Sequence, residues 1–116
     1  MNHKDLDAWK RGVNLAKDIY ILTNNFPQHE IYGLTNQMRR AAVSVSSNIA
    51  EGAARNSDKD FIKFLYISLG SLAELETQLI ISQEIGYINE ISINLDEVKS
   101  PILGLIKYLK GKIGEK

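Results

Sequence analysis

The sequence predicts an all-α protein, an antiparallel up-down-up-down four-helix bundle, and three observations predict it. Apolar residues recur at spacings of three and four through most of the chain, the period of an amphipathic helix rather than a strand. Only two prolines and eight glycines interrupt 116 residues, so the periodic segments are long. The breaks that do occur, at Asn24-Asn25-Phe26-Pro27, at Ser57 and at Gly86, leave four such segments joined by short connections, the pattern of neighbours in a bundle. Residues 1–116 are expected to form one domain.

In the first segment Leu6, Trp9, Val13, Ala16 and Tyr20 form an apolar line, with Lys10, Arg11, Asn14, Lys17 and Asp18 opposite, predicting a helix over about 5–24. Pro27 ends it, because its ring disfavours helical geometry at Phe26 and it has no backbone donor. The second helix is predicted from Glu30 or Gly33 to about Asn56 and sorts into three faces at 100° per residue. Leu34, Met38, Ala41, Ala42, Val45, Ile49 and Ala53 fill an apolar arc. Gln37, Arg40, Ser44, Ser47, Asn48, Glu51 and Arg55 make a continuous polar stripe, and Arg39, Val43, Ser46, Ala50 and Ala54 a third face of mostly small side chains.

Ser57 with Asp60 three residues on is an N-cap signal for the third helix, which runs to the natural C-terminal stop at Gly86. Its apolar residues nearly encircle it. Phe61, Phe64, Leu65, Leu69, Leu72, Leu75, Leu79 and Ile80 fill one broad side, while Tyr66, Ile67, Ala73 and Ile81 lie elsewhere. A helix apolar on nearly all sides is buried on nearly all sides, and in so small a bundle the excess predicts contact with another subunit. In the fourth segment Ile91, Leu95, Val98, Ile102, Leu105 and Leu109 form a heptad seam whose phase continues across Pro101. One helix kinked near Pro101 is preferred to a fresh start at Ser100-Pro101.

Composition excludes several classes of function. Cysteine is absent, which removes disulfides, thiolate metal sites and thiol catalysis. No run of about eighteen apolar residues and no apolar signal core follows Met1, so a cytoplasmic, unprocessed chain with no membrane partner is expected. Fourteen basic and 14 acidic side chains balance, although residues 1–57 carry +2, 58–90 carry −4 and 91–116 carry +2. His3 and His29 have no helical partner that would aim two imidazoles at one metal. No phosphate loop, metalloprotease motif or nucleophile elbow occurs, and Glu74, Glu76 and Glu84 lack the Glu-x-x-His spacing of di-iron bundles. No catalytic residue, metal, cofactor or small-molecule substrate is therefore assigned. Glu76, which interrupts the apolar arc of the third helix, reads as a general base, a buried partner for an arginine, or a rim residue.

The polar stripe of the second helix is the candidate functional surface. Arg40, Asn48 and Arg55 suit phosphate oxygens, with Ser44 and Ser47 as neutral donors. The competing reading is a solvated or intersubunit face carrying a Glu51–Arg55 pair at i, i+4. No aromatic side chain is interleaved with these basic residues along the stripe, so the usual mark of single-strand binding is missing there.

One further pattern is more specific. Phe26-Pro27-Gln28-His29-Glu30-Ile31-Tyr32-Gly33-Leu34 leads into Gln37-Met38-Arg39-Arg40-Ala41-Ala42-Val43-Ser44-Val45 and Ser47-Asn48-Ile49-Ala50-Glu51-Gly52. Phe61, Phe64-Leu65, Gly70-Ser71, Glu74-Leu75 and Gly86-Tyr87 follow. Over essentially its whole length the chain resembles the four-helix bundle proteins first noticed as reading frames in intervening sequences of bacterial large-subunit ribosomal RNA genes. The resemblance implies a ring, typically a homopentamer, and brings no established enzymatic activity. A related branch, the accessory variability determinant of diversity-generating retroelements, is a similar ring that binds reverse transcriptase and is thought to contact nucleic acid through basic residues. That similarity points to Arg39, Arg40 and Arg55. The expected function is a non-enzymatic ring-forming adaptor that binds RNA, or an RNA-binding protein partner, through a basic surface. A purely structural oligomer, with Gln37, Ser44, Ser47, Asn48 and Glu51 in the subunit interface, is the alternative.

Overall fold

A computed structural model describes residues 2–114, in which four α-helices and two single turns of 3-10 helix, His3–Asp5 and Gln28–Glu30, account for all regular structure. The helices are α1 (Asp7–Thr23), α2 (Leu34–Ala53), α3 (Asp58–Glu84) and α4 (Asp96–Lys112). No strand occurs among the described residues. The molecule measures 48 × 22 × 19 Å, its long dimension set by α3. α2 packs against α1 and α3, and α4 closes the bundle against α3 and α1.

Local chemistry sets most of the helix ends. Pro27 follows α1 by four residues, and the Ser57 hydroxyl accepts from the Asp60 amide at 3.1 Å to start α3. α3 stops at a Schellman motif: Tyr87 N–H donates to the Ser82 carbonyl at 2.9 Å and Gly86 N–H to the Gln83 carbonyl at 3.1 Å, with Gly86 at φ +85°. α2 begins at Leu34 without a capping side chain at Gly33; Glu30 supplies the cap instead, its Oε1 accepting from the Leu34 amide at 3.1 Å. The other Glu30 oxygen accepts from the Tyr87 hydroxyl at 2.7 Å, and the Tyr87 ring lies 5.2 Å from that of Phe26. The α1–α2 connection is thereby fastened to the end of α3.

The core joins all four helices: Leu15 and Ile19 of α1, Met38, Val45 and Ile49 of α2, Leu65, Leu75 and Leu79 of α3, and Ile102 and Leu109 of α4 are essentially inaccessible. The predicted apolar arc of α2 is the one that packs. Two expectations are corrected. In α1 the packed line is Ala8, Gly12, Leu15 and Ile19, whereas Val13 and Tyr20 of the predicted line are 42% and 44% exposed. The small residues decide it, since a Cβ on Gly12 would stand 3.2 Å from Ser46 Cβ, so α1 and α2 approach through this point. The fourth helix starts at Asp96 rather than near Ile91, where the Asn94 side chain accepts from the Asp96 amide at 3.0 Å. It then runs unbroken through Pro101, and the Glu97 carbonyl that Pro101 cannot bond receives a long contact, 3.5 Å, from Arg11 Nη1.

α3 is long and apolar enough to cross a membrane by length and composition alone, yet ten of its residues are buried in the bundle. Its other side is bare. Ile67, Ile80, Ile81 and Ile85, with Gly70, Ala73, Glu74 and Thr77 between them, face outward, Ile67 and Ile85 at 51% exposure and Ile81 at 45%.

Candidate nucleic-acid interface

The three candidate arginines stand in three different environments. Arg39 is tied down. Its Nε donates to Thr23 Oγ1 at 2.9 Å, its Nη2 to Asn24 Oδ1 at 3.0 Å, and its guanidinium lies 4.6 Å from the centre of the Tyr20 ring. The last turn of α1 has no basic residue of its own, and the negative end of its dipole is faced by this cation from α2. Arg40 is exposed, with no hydrogen-bond or ion-pair partner among the described residues. Arg55 falls beyond the end of α2, one reason the expected Glu51–Arg55 pair does not form, and stacks 4.8 Å over Phe64. At 1.5 Å per residue, roughly 22 Å separates it from Arg40. Arg39 and Arg40 are neighbours; Arg55 belongs to the other end of the helix.

The polar stripe divides as well. Ser44 and Asn48 are partly buried against α3: Asn48 Nδ2 donates to the Ser44 carbonyl at 2.8 Å and to Ser44 Oγ at 2.9 Å, and Ser71 Oγ donates to Ser44 Oγ at 2.9 Å. Ser44 thereby joins α2 to α3, while the Asn48 amide is held back on its own helix. Gln37, Ser47 and Glu51 are exposed. Glu76 is exposed at the edge of the α3 core face and has no arginine partner among the described residues, so it is not a buried partner for an arginine. Among the described residues no group of three His, Asp or Glu side chains is placed to hold a metal ion.

What the residue-by-residue reading missed is a groove. Between α1 and α2, Tyr20, Ile31, Tyr32, Arg39, Arg40 and Val43 line an open depression of about 660 Å³. Tyr32 is 92% exposed, its ring standing free at the groove's edge. No carboxylate lines it. The larger groove, about 720 Å³ between α1 and α4, is different, because Asp7, Asp18 and Glu97 offset Lys10 and Arg11 there, and Arg11 is held by Asp7 at 2.8 Å. The aromatic platforms absent from the α2 stripe are thus supplied by other elements. Tyr20 comes from α1, and Tyr32 from the connecting turn. A basic pair adjoining two exposed tyrosines was legible only once the chain had folded.

The turn that carries Tyr32 is held from both sides. Glu30 accepts from Tyr87 and from the Leu34 amide, and its carboxyl pKa is lowered by the Tyr87 hydroxyl first and the Leu34 amide second, while the same contact raises that of Tyr87. The carboxylate therefore bridges the end of α3 and the start of α2, within the turn that carries Tyr32.

No curated protein matches the chain. The family model described as 23S rRNA-intervening sequence protein matches residues 4–110, which take in α1, α2 and α3 whole and α4 as far as Lys110. With the four-helix fold and the Gln37–Gly52 pattern on α2 in place, the chain belongs to the family of 23S rRNA-intervening sequence proteins.

Proposed function

We propose that the chain is a non-enzymatic assembly protein whose copies bury the outer face of α3 against one another, as a homopentameric ring, and present basic surfaces to RNA or to an RNA-binding partner. The observation that carries the reading is the bare line of Ile67, Ile80, Ile81 and Ile85. Covering each half-exposed isoleucine stabilises by about 1 kcal/mol, and several large apolar side chains exposed on one side of a helix suit a contact with another subunit. The bundle is read as antiparallel, supported by the four-residue α2–α3 connection and by hydrogen bonds from Ser68 to Val45 and from Ser82 to Met38, in which α3 numbers rise as α2 numbers fall. Symmetry multiplies each arginine, so a neutral chain still builds a focused positive patch. Catalysis, a cofactor and a membrane partner have no part in this reading, and the setting is the cytoplasm.

The alternative is a structural oligomer without nucleic acid, in which the arginines serve subunit contacts. Arg40→Ala and Arg55→Ala separate the two. In the adaptor reading the double variant keeps its mass in solution and loses retention of structured or single-stranded RNA at low salt. A variant that falls apart supports the structural reading, and wild-type protein that retains no RNA removes direct RNA binding, the main support of the adaptor reading.

A further inference from the structure

We infer that the α1/α2 groove is a site for unpaired RNA bases, which stack on Tyr32 beside the Arg39–Tyr20 pair while Arg40 meets the adjoining phosphate. The inference rests on the RNA reading above and names the class of RNA and the side chains that choose it.

Three features of the groove support it. Tyr32 presents both faces of its ring to solvent on a turn that Glu30 holds to Leu34 and Tyr87, so the backbone carrying the ring is already ordered when a base stacks there. Arg39 commits its Nε and Nη2 to Thr23, Asn24 and the Tyr20 carbonyl and lies on the Tyr20 ring, which makes it a positioned positive charge and a planar surface rather than a mobile phosphate clamp. Arg40, one residue on and without a partner among the described residues, is the cation left to reach a phosphate. The Asn36 amide also lines the groove and offers a donor and an acceptor to a base edge. The sign of the field agrees, because two guanidinium groups and no carboxylate line the site.

These features select unpaired strands. A duplex keeps its bases stacked inside and offers a protein mainly phosphates and 2′-hydroxyls, which Arg40 can meet but Tyr32 cannot use. Splayed bases present free faces to the Tyr32 ring. Tyrosine and arginine are also the side chains that anchor protein contacts. A docked protein would more commonly meet such arginines with carboxylates of its own, and the acidic stretch of this chain, residues 58–90, makes a second copy the partner to test against.

The test uses the full chain and two probes, fluorescein-labelled oligouridylate and its duplex with oligoadenylate, followed by anisotropy over a range of salt. Wild type is expected to prefer the single strand. Tyr32→Ala is expected to weaken the single strand roughly 5- to 100-fold with an unchanged salt slope, and Tyr32→Phe to bind as wild type. Arg40→Gln should weaken both probes and lower the salt slope by about one contact's worth. Tyr32 is so exposed that its variants are expected to keep wild-type helicity and mass, checked by far-ultraviolet circular dichroism and light scattering. Binding that depends on Arg40 but not on Tyr32, or equal affinity for the two probes, overturns the stacking site and leaves the RNA reading standing. Loss of assembly in Tyr32→Ala makes the groove a subunit contact and overturns the inference, and binding of neither probe removes both.

Discussion

Gly52 shows how much can turn on one carbon atom. A Cβ there would lie 2.7 Å from Phe61 Cδ1 and 2.8 Å from Phe64 Cβ, so α2 and α3 cross at a point where no side chain fits. Gly52→Ala is expected to destabilise by about 1–3 kcal/mol, read from the midpoint of urea unfolding, with helices α2 and α3 pushed apart. Glu30 carries the second prediction at this scale. Its carboxylate is favoured in the fold by the Tyr87 hydroxyl and the Leu34 amide, so the folded pKa lies below the unfolded one. The stability it contributes is complete above the unfolded pKa and is lost as the pH falls through the folded value. Tyr87 is the mirror case: its raised pKa means a contribution that is complete below the ordinary phenol range and lost as the pH rises through the folded value. Melting temperature measured against pH should therefore decline at both extremes, and Glu30→Gln should flatten both declines.

At the scale of the element, the ends of helices are written locally and the choice of buried face is not. Ser57, Pro27 and Gly86 stop or start helices through contacts within a few residues, and all three signals were legible before folding. α1 was not so simple. It offers two apolar lines, and the one with the larger side chains, through Val13 and Tyr20, loses to the one through Ala8 and Gly12 because only small residues let α2 approach. Arg39 was likewise visible as a positive charge but not as the cation that faces the end of α1, since its partners lie about sixteen residues back in the chain. The groove with Tyr20 and Tyr32 was hidden for the same reason. Pro101 offers the test at this scale. Inside a helix it withholds a donor from the Glu97 carbonyl, and Arg11 compensates only by a long contact. Pro101→Ala should raise the free energy of unfolding, by up to about 3 kcal/mol, and Arg11→Ala should matter less in that background than in the wild type.

The whole molecule is best understood through the mismatch between its two sides of α3. One side is closed by Leu65, Leu75 and Leu79 at essentially no exposure, and the other sets four isoleucines in water. The sequence already showed apolar residues around the full circumference of this helix; which of them remain uncovered depends on how the other three helices pack, and that is tertiary information. Ile67→Glu with Ile81→Glu should leave the helices intact by circular dichroism while abolishing assembly, because neither side chain belongs to the core. The most direct measurement is the mass of the wild-type protein by sedimentation equilibrium on progressive dilution. A single species at a fixed multiple of the 13.0 kDa subunit, five for the ring, is the predicted result. A stable, monodisperse species of one subunit would contradict it.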